Sequence, residues 1–422
     1  MTQATVRQIV LASRPQGQPQ ETNFRIEETA MPQLPAGGVL LRALYLSLDP
    51  YMRGRMEDRK SYAKPVAIGE VMSGETAAEV IASEHPDYAV GDIVLAKTGW
   101  RTHAASDGTG LRKLDPALGP ITTGLGVLGM PGFTAYAGLN VIGKPKPGET
   151  VVVAAASGPV GSLVGQLAKM AGARAVGIAG GAEKCRYVRE ELGFDDVIDH
   201  RAADFAERLA AACPGGIDVY FENVGGAIWQ AVLPLLNTFA RVPVCGLISQ
   251  YSGGAQNEGP DRLPAMMREI LSKSLTLRGF INYEFAEEHY PAFLQTVSAG
   301  IADGRIRYLE DITDGLENAP AALIGMLQGK KLRQGPYSPD GLITARLRTG
   351  ESHAQSLLDR RLSIHLEPRE TGSLWEARRT RHSSGGRALP RPWRPRHDAR
   401  GRGQRADRHH CVRELRTGRR RL

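Results

Sequence analysis

The chain has 422 residues, and 42% of them are hydrophobic, which is enough apolar material for two domains with separate cores. No apolar run approaches the roughly 20 residues that a membrane span needs, and residues 1–18 lack the apolar stretch of a secretory signal. The four cysteines form no C-x-x-C pair, which argues against a disulfide framework and a structural zinc cluster. We therefore predict a cytoplasmic protein with no membrane partner.

Charge is distributed unevenly along the chain. Residues 331–422 contain 22 arginines, one lysine and nine acidic residues, a net charge of +14, so residues 1–330 carry −6 of the total of +8. The same segment is rich in Pro, Gly and His and shows no hydrophobic period of a helix or strand. We therefore predict a mildly acidic globular body followed by a basic, disordered tail.

The first 130 residues predict a β domain. Short apolar or alternating runs are separated by clusters of Pro, Gly and Asp, which is typical of strands joined by turns. The predicted strands cover residues 7–12, 38–45, 70–82 and 92–97.

From about residue 131, strands alternate with helical patterns, which is typical of a doubly wound parallel sheet. The predicted strands are residues 151–156, 175–179, 197–199, 219–223, 240–245 and 276–281. The predicted helices are residues 159–171, 183–192, 203–212, 228–235 and 264–273. Residues 290–328 predict a helix, a short strand and another helix that return to the first domain. The predicted domains are thus 1–130, completed by 300–330, then 131–300, then the tail at 331–422.

A glycine turn follows the first strand of the α/β domain. Residues 156–161 have the sequence ASGPVG, which is the G-x-G-x-x-G spacing with alanine in the first place. Gly158 and Gly161 let the backbone approach a pyrophosphate, and a helix that starts with Pro159 and Val160 directs its N–H groups at the anion. Pro159 suits a first helical turn, where its missing N–H has no intrahelical partner. We predict a dinucleotide site here rather than a purely structural βαβ unit.

The residues after the second strand favour NADP(H) over NAD(H). An NAD site usually places an acidic residue there for the ribose 2′-OH, whereas this chain has Gly180 and Gly181. The glycines leave room for a phosphate, and Lys184 supplies positive charge, with Glu183 beside it. The alternative interpretation of Lys184 is a solvated lysine at a helix start.

Several segments resemble one family. LDPYMRGRM, residues 48–56, is similar to the signature of zinc-free medium-chain dehydrogenases/reductases of the leukotriene B4 12-hydroxydehydrogenase, prostaglandin reductase and curcumin reductase type, a group of NADP-dependent alkenal double-bond reductases. Residues 180–199, 217–226 and 240–251 are similar to further segments of this family. The resemblance spans residues 1 to about 330.

The resemblance implies a GroES-like β domain and a Rossmann domain, usually as a homodimer. It also implies NADPH-dependent reduction of the carbon–carbon double bond of α,β-unsaturated aldehydes and ketones. The turn at 158–161 would hold the pyrophosphate, and Lys184 would contact the 2′-phosphate. His200 stands where relatives have a tyrosine near that phosphate, and it can stack or donate with an altered pH dependence. The residues implied for the nicotinamide half are Asn223, Cys245, Gly246, Ser249, Tyr251, Phe280, Ile281 and Asn282.

The C-terminal part departs from this family. Relatives continue after a Gln-Gly-Lys segment with an asparagine that touches the cofactor and with a last apolar strand. Here Lys330 is followed by Lys331 and Leu332, and the comparison predicts that both features are missing. Without that strand, a sheet edge would be exposed.

The basic tail has three interpretations. It is an arm whose arginines contact nucleic-acid phosphates, a solvated linker, or the product of a shifted reading frame in a GC-rich gene. The shifted frame is favoured, because the change in composition falls inside the expected family ending. Apart from this tail, no nucleic-acid partner is predicted.

A catalytic metal is not predicted. The first 130 residues contain no cysteine, and Gly69 and Glu70 are preceded by Ile68 rather than by the histidine of zinc-dependent relatives. Hydrogen bonds must then polarise the substrate carbonyl, and Tyr51 is the candidate that orients it. The alternative for Tyr51 is packing against the cleft. Water or a tyrosine would supply the proton for the α-carbon.

Three functional hypotheses stay open. The leading one is an NADPH-dependent reductase of small-molecule enones. The others are an NADPH quinone reductase of the same superfamily and a redox-sensing binding protein with a nucleic-acid-binding tail. Arg53 and Arg55 have two interpretations, contact with an acidic substrate or the cofactor, and surface salt bridges.

Overall fold

The computed structural model describes residues 5–253, 261–330 and 342–347. Its N-terminal part contains a two-stranded antiparallel sheet, β1 with β2, and most of a seven-stranded sheet. The elements are β1 (Thr5–Leu11), β2 (Phe24–Ala30), β3 (Val39–Leu48), α1 (Tyr51–Arg55), β4 (Thr76–Ser83), β5 (Ile93–Ala96), β6 (His103–Ser106) and β7 (Arg112–Lys113).

The predicted strands near residues 7–12, 38–45 and 92–97 are confirmed, whereas β2, β6 and β7 were not predicted. The prediction for residues 70–82 is wrong over its first six residues, because β4 begins only at Thr76. Gly69 has a φ of +85°, and Gly74 lies so close to Leu46 and Trp100 that an added Cβ would come within 2.8 Å of the leucine. Residues 71–74 instead run between β1 and Trp100, because the Met72 N–H donates to the Ile9 carbonyl and the Met72 carbonyl accepts from the Trp100 N–H.

The central part forms a six-stranded parallel sheet with helices on both faces. Its elements are α2 (Met130–Tyr136), β8 (Thr150–Ala154), α3 (Pro159–Met170), β9 (Arg174–Ala179), α4 (Ala182–Glu190), β10 (Asp196–Asp199), α5 (Phe205–Ala212), β11 (Ile217–Phe221), α6 (Gly226–Val232), β12 (Leu236–Val244), α7 (Leu263–Ser272) and β13 (Thr276–Gly279). The strand order is β10-β9-β8-β11-β12-β13, which is the Rossmann order. The middle strands are buried on both faces, as their continuous apolar sequences require. The predicted α/β fold with a β domain and a Rossmann sheet is confirmed.

The chain then returns to the antiparallel sheet through α8 (Ala286–Ala302), β14 (Glu310–Asp314), α9 (Ala319–Leu327) and β15 (Leu342–Arg346). The predicted order of helix, strand and helix over residues 290–328 is confirmed. β14 and β15 complete the sheet in the order β14-β15-β3-β4-β5-β7, with β6 paired to β3. The exact domain boundaries stay a prediction.

The prediction that a last strand is missing is wrong. β15 lies between β14, to which it is parallel, and β3, to which it is antiparallel. Ala345 and Leu347 are fully buried in one cluster with Leu316 and Leu323. The prediction failed because it relied on the family motif that was expected after Lys330. A short extended segment with β-branched residues can pair with two open strand edges whatever its exact sequence.

The predicted disorder of the tail is therefore wrong for residues 342–347. Its other predicted properties, nucleic-acid binding and a shifted frame, concern residues 331–341 and 348–422, which lie outside the described residues. Within the described residues, no helix combines the length and apolar character needed to cross a membrane.

Candidate active site

The candidate site begins at the carboxyl ends of the parallel strands. The strand order reverses between β8 and β11, so the helices that follow them run to opposite sides and leave a crevice at this edge. We call the residues at these strand ends, 155–161, 180–184, 199–201, 222–226 and 245–251, the cofactor edge. Ligands of doubly wound sheets bind at such a switch point.

The glycine turn forms a cradle at the N-terminus of α3. Gly158 immediately precedes the helix, and Pro159 and Val160 start it. A side chain on Gly161 would clash with the Ala155 carbonyl oxygen and would place its Cβ 2.9 Å from the Ala156 Cα. Only glycine permits this close approach of the strand end to the helix N-terminus. The cradle therefore fits a dinucleotide pyrophosphate.

Basic side chains converge in a corner at the ends of β9 and β10, beside the Asp199 carboxylate, which accepts hydrogen bonds from the Gly181 and Arg201 N–H groups. A Cβ on Gly180 would lie 2.8 Å from His200 Nε2 and 3.0 Å from Arg201 Nε, so both side chains converge on this glycine. The buried Lys184 donates a hydrogen bond to the Gly329 carbonyl at 3.3 Å. Burial lowers the pKa of His200, and the charge of Arg201 lowers it further. The corner can hold a 2′-phosphate.

Sequence reasoning missed Arg201 in this corner. It follows β10, whose carboxyl end lies beside that of β9 in the parallel sheet. The signal was available, because a basic residue directly after the neighbouring strand must lie near Gly180.

The ends of β8, β11 and β12 are held together by side chains of the predicted nicotinamide half. Asn223 Nδ2 donates to the Ala154 carbonyl at 2.8 Å and so joins two strand ends. Ser249 Oγ donates to the Val224 carbonyl. Burial raises the pKa of Cys245 to about 12, and nearby Glu222 adds to the rise, so this thiol is neutral and not nucleophilic.

Glu222 is a further residue that sequence reasoning did not single out. It is buried, and its Oε1 accepts hydrogen bonds from the Val224 and Gly225 backbone N–H groups and from the Tyr220 hydroxyl. Burial raises its pKa above the usual value. The carboxyl group therefore shapes the turn after β11.

Tyr251 folds back over the end of β12. Its hydroxyl oxygen accepts a long hydrogen bond, 3.4 Å, from the Leu247 N–H. A Cβ on Gly246 would lie 3.0 Å from the same oxygen, so the glycine makes room for the ring. Burial raises the pKa of Tyr251, and nearby Cys245 and Tyr62 add to the rise.

The segment after β13 supports the crevice from the other side. Phe280 is buried and packs edge-on against Phe221, with ring centroids 6.3 Å apart. Asn282 Nδ2 donates to Thr134 Oγ1 at 3.1 Å and to the Met130 carbonyl at 3.3 Å. The side chain of Asn282 thus binds to α2. Ile281, which lies between Phe280 and Asn282 in the chain, is partly buried.

The β domain contributes a second face, which we call the substrate wall: Asp49, Tyr51, Arg55, Tyr62 and Glu75. Burial raises the pKa of Tyr51 well above its usual value, and the charges of Asp49 and Glu75 add to the rise. Burial raises the pKa of Asp49 to about 7, although a hydrogen bond from Ser47 Oγ at 2.6 Å opposes the change. Tyr51 is therefore a protonated phenol that can donate a hydrogen bond.

The two faces approach one another through Tyr62. Its phenol raises the pKa of Tyr51 on the β domain and also raises the pKa of Tyr251 at the cofactor edge. In the described part of the chain, no three or more His, Cys, Asp or Glu side chains are grouped so that they could hold a metal ion. The fold and site together define a dinucleotide-binding dehydrogenase or reductase.

Comparison with known proteins agrees with this class. Residues 7–114 match the family model described as the N-terminal domain of oxidoreductase, and residues 159–299 match the model described as zinc-binding dehydrogenase. The NADPH-dependent curcumin reductase of Escherichia coli (strain K12) is 55% identical over 324 residues, 77% of this chain and 94% of that protein. The NADP(+)-dependent 2-alkenal reductase of Nicotiana tabacum is 39% identical over 332 residues, 77% of this chain and 95% of that protein.

A solved structure gives the same result. CurA from Vibrio vulnificus in complex with NADPH is 51% identical and superposes with a TM-score of 0.77, covering 81% of this chain and 99% of that chain. The chain therefore belongs to the NADP-dependent medium-chain dehydrogenase/reductase family that contains these reductases. The family predicted from the LDPYMRGRM segment is confirmed.

Proposed function

We propose that this protein reduces the carbon–carbon double bond of α,β-unsaturated aldehydes and ketones with NADPH. The observation that carries the proposal is the pairing of a glycine cradle at the cofactor edge with a protonated Tyr51 on the substrate wall. The names of the curcumin and 2-alkenal reductases, which are 55% and 39% identical to the chain, support the same chemistry.

The cofactor would be held by this chain's own residues along the cofactor edge. The backbone of 158–161 would bind the pyrophosphate, and Lys184, His200 and Arg201 would bind the 2′-phosphate. The strand ends at Asn223 and Cys245, with Tyr251 folded over them, would bound the nicotinamide half. When bound, NADPH supplies the hydride that adds to the β-carbon.

The substrate wall would act on the oxygen of the substrate. Tyr51 remains protonated across the physiological pH range because its pKa is raised, so it can donate a hydrogen bond to the carbonyl. Such a donor stabilises the negative charge that develops on this oxygen as the β-carbon is reduced. Water then supplies the proton for the α-carbon.

The decisive experiment is turnover with product identification. Purified full-length protein is mixed with NADPH and trans-2-nonenal, and the products are separated by mass spectrometry. We expect nonanal, the product of double-bond reduction, and much less turnover with NADH. Formation of 2-nonen-1-ol instead would contradict the proposal, and turnover restricted to 1,4-naphthoquinone would support a quinone reductase.

We also propose that the protein is a homodimer that pairs through β13. This strand is the last in its sheet, and among the described strands it pairs only with β12. Beside it, α7 exposes Leu263, Met267 and Leu271, which are spaced four residues apart on one face of the helix. Phe239 is also exposed, and its backbone N–H donates to the Lys273 carbonyl next to α7. A second copy would cover this apolar surface and the open strand edge.

Light scattering after size-exclusion chromatography tests the dimer. We expect wild-type protein at twice the mass of the chain and the Leu271→Glu variant at the mass of one chain. Val90→Glu, which also replaces an exposed apolar residue but on the β domain, is the matched control and should remain dimeric. A monomeric wild type would contradict the proposal. A cytoplasmic location stays a prediction.

A further inference from the structure

Arg55 is a buried cation in the substrate wall. It ends α1, and only 8% of its surface is exposed. Its guanidinium carbon lies 4.4 Å from the centroid of the Tyr62 ring and 5.5 Å from that of the Tyr51 ring. The two aromatic faces hold the planar guanidinium in place through cation–π contacts.

This guanidinium has no anionic partner within residues 5–253, 261–330 and 342–347. The acidic group nearest along the chain, Glu57, pairs with Arg53 and Arg59 at 3.1 Å each. Asp49 accepts its hydrogen bond from Ser47. A charge withdrawn from water without a counter-charge is unfavourable, so a site that keeps one is expected to receive the counter-charge from a ligand.

The donors of Arg55 remain in contact with solvent. Its nitrogens do not belong to the sealed, unpartnered polar atoms of the described residues, whereas Nε of Arg53 does. Arg53 also donates to the Gly17 carbonyl at 2.8 Å, so its role is structural. The two arginines of α1 thus differ. Arg53 is hydrogen-bonded within the β domain, whereas the donors of Arg55 remain accessible.

Arg55 lies next to the proposed carbonyl donor. It lies against Tyr51, the proposed carbonyl donor, and against Tyr62, which also influences Tyr251 at the cofactor edge. An arginine stacked on tyrosine rings keeps the edge of its guanidinium free for a bidentate contact with a carboxylate.

We propose that Arg55 is a specificity-determining residue that binds a carboxylate on the enone substrate. The inference rests on the proposed enone reduction. It narrows the substrate class to enones that carry an acidic group at a distance from the reacting double bond.

A matched substrate pair tests the inference. The two compounds are 4-(3-oxobut-1-enyl)benzoate and its methyl ester, which share the enone and differ in the charge at the far end of the ring. We expect wild-type protein to show a higher kcat/KM for the acid than for the ester. In Arg55→Met the acid-to-ester ratio should fall about ten- to a hundredfold, as expected for loss of a charge-assisted hydrogen-bond pair. Because the ratio is taken within one protein, a loss of folded material does not affect it.

Two controls separate this role from others. Arg59→Met removes an exposed arginine of the following loop and should leave the ratio at its wild-type value. Arg55→Lys keeps the charge but loses the bidentate geometry and should give an intermediate ratio. An unchanged ratio in Arg55→Met would overturn the inference, and if the Kd of NADPH rose at the same time, Arg55 would be a cofactor contact.

Binding distinguishes failure of this inference from failure of the proposed function. The Kd values of the acid and of the ester are measured by calorimetry with the protein saturated with NADP⁺. Tighter binding of the acid that disappears in Arg55→Met supports the inference even if neither compound is reduced, a result that would contradict the proposed function alone. Equal binding of the two compounds by wild-type protein would overturn the inference even if both are reduced.

Discussion

The cofactor edge and the substrate wall are built on different principles. The cofactor edge depends on backbone geometry, on the glycines at 158, 161, 180 and 181, and on strand ends whose polar groups are paired. The substrate wall depends on ionisable side chains, of which Asp49 and Arg55 are buried; two of its carboxyl groups have a raised pKa, and its guanidinium has no anionic partner among the described residues. A backbone cradle suits a ligand that does not vary, such as the cofactor. A side-chain charge without a counter-charge suits a substrate that carries the opposite charge.

The largest expected effect concerns the charged corner of the cofactor edge. In the double variant Lys184→Ala and Arg201→Ala, the Kd of NADPH should rise about a hundredfold, because charge-assisted contacts to the 2′-phosphate are lost. The Kd of NADH, which lacks this phosphate, should change far less. Fluorescence titration with both cofactors measures the two values.

Arg208→Ala is the control for this variant, since Arg208 is an exposed arginine of α5. Its NADPH affinity should match that of wild type. Equal losses for NADPH and NADH in the double variant would show that these residues support the fold rather than the phosphate.

The next effect concerns the backbone cradle. In Gly161→Ala the added Cβ would meet the Ala155 carbonyl, and the strand end and α3 would have to separate. We expect a loss of roughly 1 to 3 kcal/mol in the free energy of unfolding, with at least a tenfold weaker binding of NADPH. Denaturant unfolding and titration measure both. Gly215→Ala, whose Cβ would meet no atom within 4 Å, should behave as wild type, and an undisturbed Gly161→Ala would refute the close packing.

A smaller effect concerns the buried carboxyl group of the substrate wall. Because the pKa of Asp49 is raised to about 7 in the folded protein, the folded state binds more protons than the unfolded state between about pH 4 and pH 7. The free energy of unfolding therefore falls as the pH rises through this range. In Asp49→Asn, the fall between pH 5 and pH 8 should be smaller by about 2 kcal/mol.

Urea unfolding at several pH values measures this dependence. Asp58→Asn removes an exposed carboxyl group from the loop after α1 and should follow the wild-type curve. If the curves of Asp49→Asn and wild type ran parallel, Asp49 would not titrate in this range.

The smallest effect concerns Tyr251. In Tyr251→Phe only the 3.4 Å hydrogen bond from Leu247 is lost, so we expect a two- to fivefold rise in the KM for NADPH and little change in kcat. Steady-state kinetics over a range of pH values measures both constants. A large fall in kcat with an altered pH profile would instead make Tyr251 the proton donor and move the chemistry from the substrate wall to the cofactor edge.

The Rossmann part was predictable because its signals are local. The predicted strands and helices between residues 151 and 281 all have counterparts in the structure. The turn at 156–161 indicates both where a strand ends and where a helix begins. Errors arose where packing between distant segments decides the structure. Residues 71–74 pair with β1 and with Trp100 rather than belonging to β4, and β15 was missed although it completes the antiparallel sheet.

The sequence by itself determined the family, the parallel sheet and the glycine cradle, because hydrophobic period and glycine spacing act over a few neighbouring residues. Only the tertiary structure decided that β15 completes the antiparallel sheet and that Arg55 lies between Tyr51 and Tyr62 without an anionic partner in the described chain. Charge balance depends on which side chains meet in space and how much water reaches them, and neither is written in the order of residues along the chain.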